Sequence, residues 1–174
     1  MSRPSPSEYG SFYQTYIDYT RADDYSALVG QYNHRLVECW SAIPIEKINY
    51  AYAPDKWTIR QMLQHVIDTE RIFAYRALAI ARKERQAIPG FDENEYANNA
   101  TAVHRNWEDM LVEWRSVRQS TNLLFASFTD EQLQRVGTAN NQPISVNALG
   151  FIIFGHALHH LSVLKERYGI KGPL

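Results

Sequence analysis

Two histidines four residues apart, His156 and His160, lie in the apolar run GFIIFGHALHHLSVLKERYG, and a third, His65, lies in WTIRQMLQHVIDTE. Three imidazoles meeting at one point would hold a metal ion. Side chains at i and i+4 of a helix share a face one turn apart, so the spacing of His156 and His160 lets both rings reach a common point. At about 100° per residue, both fall near the centre of a stripe formed by Leu149, Ile152, Ile153, Val163 and Leu164, and both are expected to point into the core. His159 falls on the margin of that stripe and ranks below them as a ligand, with a supporting role open to it. Two neutral imidazoles buried side by side need polar partners. A metal is one such partner; carbonyls, carboxylates or water are the other. His34 and His104 have no such company and read as surface or structural residues.

The other residues of chemical interest sit on the segment of His65. Counted from Ile59, the residues Met62, Leu63, Val66, Phe73, Ala77 and Ile80 centre an apolar face, and His65 lies about 120° from it. That is a seam, which faces either a neighbouring helix or water. The same count puts Glu70 near the middle of the apolar face, where a carboxylate needs a partner. It is either a general base or a group that orients a metal ligand, or one half of a buried ion pair. Asp68, close after His65, could orient that ring or could be solvated. No Gly-rich phosphate loop, HExxH motif or calcium-binding loop occurs, and paired ExxH motifs of the di-iron bundles are missing.

The elements that must carry these residues are helices. The first is expected from about Asp23 to Ala42, with Leu28, Tyr32, Leu36 and Trp40 at helical spacing and Pro44 as its stop. The second starts at Thr58, which with Gln61 forms a capping box and with Trp57 and Met62 a hydrophobic staple, and runs to about Lys83. The third is expected from Asn99 to Ser127, its buried face marked by Val103, Trp107, Met110, Leu111, Trp114 and Val117. Thr129 with Gln132 repeats the capping box ahead of a short helix. The stretch RVGTANNQPI reads as a loop or small hairpin, Ser145 caps the fourth helix, and Gly169 ends it. Four long helices imply an all-α, four-helix bundle around one core.

Bulk properties narrow the partners. A chain of 174 residues with 45% hydrophobic residues is the size of a single domain, 1–174, with residues 1–20 as an N-terminal arm, partly ordered. The net charge of −1 and a pI near 6.6 provide no basic surface, so neither nucleic acid nor an anionic membrane is an expected partner. Cys39 is the sole cysteine, which excludes an internal disulfide or a CxxC site and suits a reducing compartment. No segment is expected to approach the roughly 18 apolar residues that spanning a bilayer needs, and no signal-peptide core is visible, so a cytoplasmic location is expected.

These residues also carry a resemblance. KWTIRQMLQHVIDTE resembles the Trp-Ser/Thr-x-x-Glu/Gln-x-x-x-His segment that opens the second helix of the DinB/YfiT-like family of metal-dependent enzymes, and HALHHL resembles its closing His-x-x-His-His signature. IPIEKINYAYAPDKW, PGFDENEYA and GTANNQPISVNAL are similar as well, so the likeness runs through nearly the whole chain. It implies an up-down-down-up four-helix bundle, often dimeric, binding one divalent metal through His65, His156 and His160. Asp68, Glu70 and His159 are then candidates for the surrounding shell, and the catalytic groups are unknown. Zn²⁺ suits three neutral nitrogens best, with Ni²⁺ or Fe²⁺ as alternatives. The expected activity is hydrolysis or transfer of a low-molecular-weight thiol, on a small-molecule substrate, in a homodimer. The rival expectation is a non-catalytic, stress-related helical dimer whose histidines are core groups or hold a structural ion.

Overall fold

A computed structural model describes residues 2–171. Its helices are α1 Gln14–Asp18, α2 Tyr25–Ser41, α3 Ile59–Ala81, α4 Glu93–Asn99, α5 Trp107–Ala126, α6 Asp130–Leu133 and α7 Val146–Glu166, with a hairpin of β1 Val136–Ala139 and β2 Gln142–Ser145 before α7. The four long helices form the bundle. Around it α2 packs on α5, α5 on α3, α3 on α7, and α7 back on α2.

Side-chain pairs fix the direction of each helix. Along α3 and α5, Gln64 meets Arg105 and Glu70 meets Arg118, so these neighbours run parallel. Tyr25 stacks on Phe125 and Leu36 O accepts from Trp114 Nε1, so α2 and α5 are antiparallel. The start of α3 meets the end of α7 where Tyr168 Oη donates to Trp57 O at 2.6 Å, and the end of α3 meets the hairpin before α7 where Arg135 bonds Ala81 O. The order is therefore up, down, down, up. Sequential helices α2 and α3 lie on a diagonal, which a longer connection through Ile45–Lys47 permits.

The helix starts follow local chemistry. Thr58 and Gln61 make the reciprocal capping box of α3, Thr129 and Gln132 that of α6, and Ser145 Oγ accepts from Ala148 N at the start of α7. The hairpin turns at Asn140-Asn141, both at positive φ, 50° and 58°, as a two-residue primed turn requires.

Two expectations are corrected, and the packing of the N-terminal arm is defined. The third long helix does not begin at Asn99: α4 ends there, Thr101 takes φ 49°, and Asn106 caps a fresh start at Trp107. Val103, expected on the buried face, is 64% exposed in that break. The N-terminal arm is an integral part of the fold, since Tyr9, Tyr13, Ile17 and Thr20 are buried and Arg3 bonds Ile17 O at 2.6 Å. Finally, α7 is long and apolar enough to cross a bilayer by length and composition, although no segment was expected to be, and most of it is buried. This is what a core helix looks like when neighbours surround it. Here α2 and α3 cover two sides, and α1 rests on Gly155, where a Cβ would lie 1.9 Å from Tyr16 O.

Candidate metal centre

His65 comes from the second turn of α3, and His156 and His160 from the second half of α7. The clamp between Tyr168 and Trp57 holds the last turn of α7 against the first of α3, setting the register that brings these rings together. His65 therefore occupies the helix-facing side of its seam.

His65 Nε2 is 3.0 Å from His156 Nε2, and His160 Nε2 is 3.1 Å from that same atom. A neutral imidazole nitrogen carries either one proton or one lone pair in the ring plane. His156 Nε2 therefore cannot make a well-directed hydrogen bond to both neighbours. Protonation does not supply the missing link. Burial pushes the pKa of His65 down to about 4, with His159 adding to the effect. Burial lowers His156 and His160 well below the ordinary histidine value, and the neighbouring histidines add to it. The cluster is thus three neutral rings with their Nε2 atoms converging. Nitrogens about 2.0–2.1 Å from a tetrahedral zinc ion would be separated by about 3.3 Å, so the donor set fits a divalent cation in both chemistry and spacing.

The outer contacts differ from the sequence reading. Thr69 Oγ1, not Asp68, stands nearest His65 Nδ1, at a long 3.5 Å. Asp68 accepts from Gln64 Nε2 at 2.9 Å instead. Glu70 turns away to α5, where its Oε2 accepts from Arg118 Nη1 at 2.9 Å; the buried ion pair is the alternative that holds. His159 leans against Tyr16 and Tyr19, with Nδ1 3.3 Å from Tyr19 Oη, and its ring lies 5.1 Å from that of His160. Burial lowers its pKa while Glu166 works against the shift. His160 Nδ1 is buried with no hydrogen-bond partner among the described residues. His34 and His104 are exposed and distant in the chain from any such cluster.

The three nitrogens open onto a cavity of about 320 Å³. Its walls are largely aromatic: Tyr16 is edge-on to His156 with centroids 5.3 Å apart, and Trp57 lies 4.7 Å from His65. Phe12, Tyr13, Thr69, Phe73, Arg76, Phe91, Glu93, Asn140 and His159 complete it. Sequence reasoning missed most of these. Thr69, Phe73 and Arg76 were within reach, because they follow His65 at helical spacing on one face of α3. The arm, the segment around Phe91 and the turn at Asn140 carry no such signal. A larger groove of about 950 Å³ runs between α2 and α5 and is not lined by any of the three histidines.

The chain is similar to known proteins in sequence and in fold. The sequence pattern of the DinB superfamily matches residues 30–164, which includes all three histidines. A protein of Geobacillus thermodenitrificans described as a "Putative metal-dependent hydrolase" is 29% identical over 133 residues, 73% of this chain and 72% of its own length. One of Oceanobacillus iheyensis with the same description is 24% identical over 135 residues, 77% of this chain and 78% of its own. Among solved structures, YfiT from Bacillus subtilis, described as "a probable metal-dependent hydrolase with an unusual four-helix bundle topology", superposes with a TM-score of 0.69 at 19% identity, covering 97% of this chain and 94% of that one.

Proposed function

This chain belongs to the DinB superfamily, and from that premise we propose that it is a metal-dependent hydrolase in which His65, His156 and His160 hold one divalent cation. The observation that carries the proposal is the convergence of three neutral, buried Nε2 atoms, 3.0 and 3.1 Å apart, at the wall of a cavity. The descriptions of the relatives point the same way. Zn²⁺ matches an all-nitrogen set best, with Ni²⁺ or Fe²⁺ accepted by the same ligands.

A divalent cation held there supplies Lewis acidity and brings the pKa of a water into the neutral range. The chain's own residues do the rest. The aromatic walls from Tyr16, Trp57 and Phe73 keep the approach apolar, so that polar interactions inside are little screened. Burial, with Glu93 nearby, raises the pKa of Tyr16, so its hydroxyl stays protonated and can donate to a substrate oxygen. Glu93, an exposed carboxylate, lines the same cavity. A purely structural ion would be closed off on every side; the opening onto the cavity favours the enzyme reading.

Elemental analysis of untagged protein tests the site first. About one metal per chain is expected, falling well below stoichiometric in His156→Ala and His160→Ala. No metal in the wild type, with His160→Ala indistinguishable from it, would end the proposal. A turnover screen of metal-replete protein against simple esters and amides, run beside low-molecular-weight thiols with electrophilic acceptors, separates hydrolysis from thiol transfer. Ester or amide cleavage without added thiol, abolished in His156→Ala, is the result expected.

A further inference from the structure

Arg76 lies eleven residues after His65 on α3, is 2% exposed, and lines the same cavity as the three histidines. Its one described hydrogen bond runs from Nη2 to Pro89 O at 2.9 Å. Nε is buried with no acceptor, and Arg76 makes no ion pair with a carboxylate among the described residues. A guanidinium is always charged and carries five donors, and a buried one normally has an anion beside it. Arg118, equally buried, has Glu70. Glu93 is the carboxylate that lines this cavity, and it is exposed; Glu84 borders a second pocket that Arg76 also lines, where it accepts from the backbone of Arg85 and Gln86.

The surroundings of Arg76 also bear on the kind of anion that would suit it. Its guanidinium carbon lies over the rings of Phe73 and Phe91, 5.4 and 5.9 Å from their centroids. These rings favour the cation without supplying a counter-ion, and a carboxylate is the small anion whose two oxygens match a guanidinium with in-plane, paired hydrogen bonds. Phe73 also bridges to the histidines, its centroid 6.2 Å from that of His156. Arg76 and the converging nitrogens line one cavity of about 320 Å³ with Phe73 between them, a volume that suits a small molecule touching both.

We propose that Arg76 is the anion anchor of this cavity, and that the substrates are small esters or amides bearing a carboxylate, held with the carboxylate on Arg76 and the scissile carbonyl at the histidines. This rests on the metal-dependent hydrolase reading. Cleavage would break the acyl C–O or C–N bond with one water, giving an acid and an alcohol or amine, while the distal carboxylate is unchanged and serves for position alone. Glu93 on the same cavity opposes an incoming anion, and its exposure to water reduces that opposition.

The test is calorimetric binding to zinc-replete protein of paired metal-binding probes: succinic and glutaric monohydroxamates, and the same compounds with the carboxylate replaced by a carboxamide. At least one charged probe is expected to bind about tenfold or more tightly than its uncharged partner, as a charge-assisted hydrogen bond would give. The preference should vanish in Arg76→Met and survive in part in Arg76→Lys, with zinc content unchanged in both. Equal affinity of charged and uncharged probes for the wild type, or a preference that persists in Arg76→Met, overturns the anchor and leaves the metal centre standing. Failure of every hydroxamate to bind overturns the metal centre and the anchor together. The wild-type comparison decides the matter even if a variant does not fold.

Discussion

Helix α3 carries two buried polar clusters on different sides, and they are resolved in opposite ways. Toward α5, Glu70 and Arg118 neutralise each other at 2.9 Å; Arg118 Nη2 bonds Asn122 Oδ1 at 3.0 Å, Asn122 Nδ2 bonds Asn33 Oδ1 at 2.9 Å, and Tyr25 Oη bonds Asn122 Oδ1 at 3.1 Å. Toward α7, His65 meets His156 and His160 with no carboxylate among their described partners, and His160 Nδ1 is left without any. The first cluster balances its charge from within the chain. The second has lone pairs to spare and a cavity beside it, which is the condition of a site made for something that arrives from outside. Glu70 Oε1 is also left without a hydrogen-bond partner among the described residues, so an orphaned atom alone does not mark function; converging lone pairs beside a cavity do.

The largest effect that sharpens this contrast belongs to the self-contained cluster. Glu70→Ala leaves Arg118 charged in the core without a counter-ion, and is expected to cost about 3–5 kcal/mol in urea unfolding while leaving metal stoichiometry intact. Replacing both partners with apolar residues, Glu70→Met with Arg118→Leu, should recover most of that loss. Equal destabilisation by the single and double variants would mean that the pair does more than cancel charge.

The histidine cluster responds to pH instead. Its folded pKa values lie below the unfolded histidine value of about 6.5, so between them the unfolded chain binds more protons than the folded one. Stability of the metal-free protein is therefore complete above about pH 6.5 and falls as the pH drops toward 4; His65 alone, with its pKa at about 4, accounts for about 3 kcal/mol. Denaturant midpoints of metal-free wild type and His65→Gln across pH 7 to 4.5 check this. A wild-type slope no steeper than that of the variant would sink the assignment.

Two smaller effects complete the comparison. Thr69→Val removes the group nearest His65 Nδ1; because the contact is long at 3.5 Å, metal affinity should weaken by about tenfold at most, the lower end for an orienting partner, as competition with a chelator would read. Thr58→Ala removes the cap of α3 and should cost about 1 kcal/mol, with little change at either cluster.

Much of this arrangement is legible in the chain. The i, i+4 pair His156 and His160, the boxes Thr58/Gln61 and Thr129/Gln132, and the cap Ser145 are local patterns, and local patterns act through bonds made within one or two turns. Glu70 was readable as an anomaly, though its partner was not, since Arg118 is far away in the chain. The break at Thr101 and the new start at Asn106 were harder, because helical spacing of apolar residues continues across a gap that turn conformation alone creates. The arm gave little sign of packing: Tyr16 meets the helix where Gly155 leaves room, and neither residue by itself announces the contact.

What sequence determined by itself was a set of helices with three imidazoles on two of them, because capping, periodicity and ring chemistry are properties of short stretches. Only the tertiary structure decided that His65 faces α7, that Glu70 faces away from it, and that Arg76 shares a cavity with the histidines while lacking an acid. The reason is physical: rotating α3 by one residue's angle about its axis would redirect all of these side chains, and that rotation is held by contacts with α5 and α7, not by anything within α3.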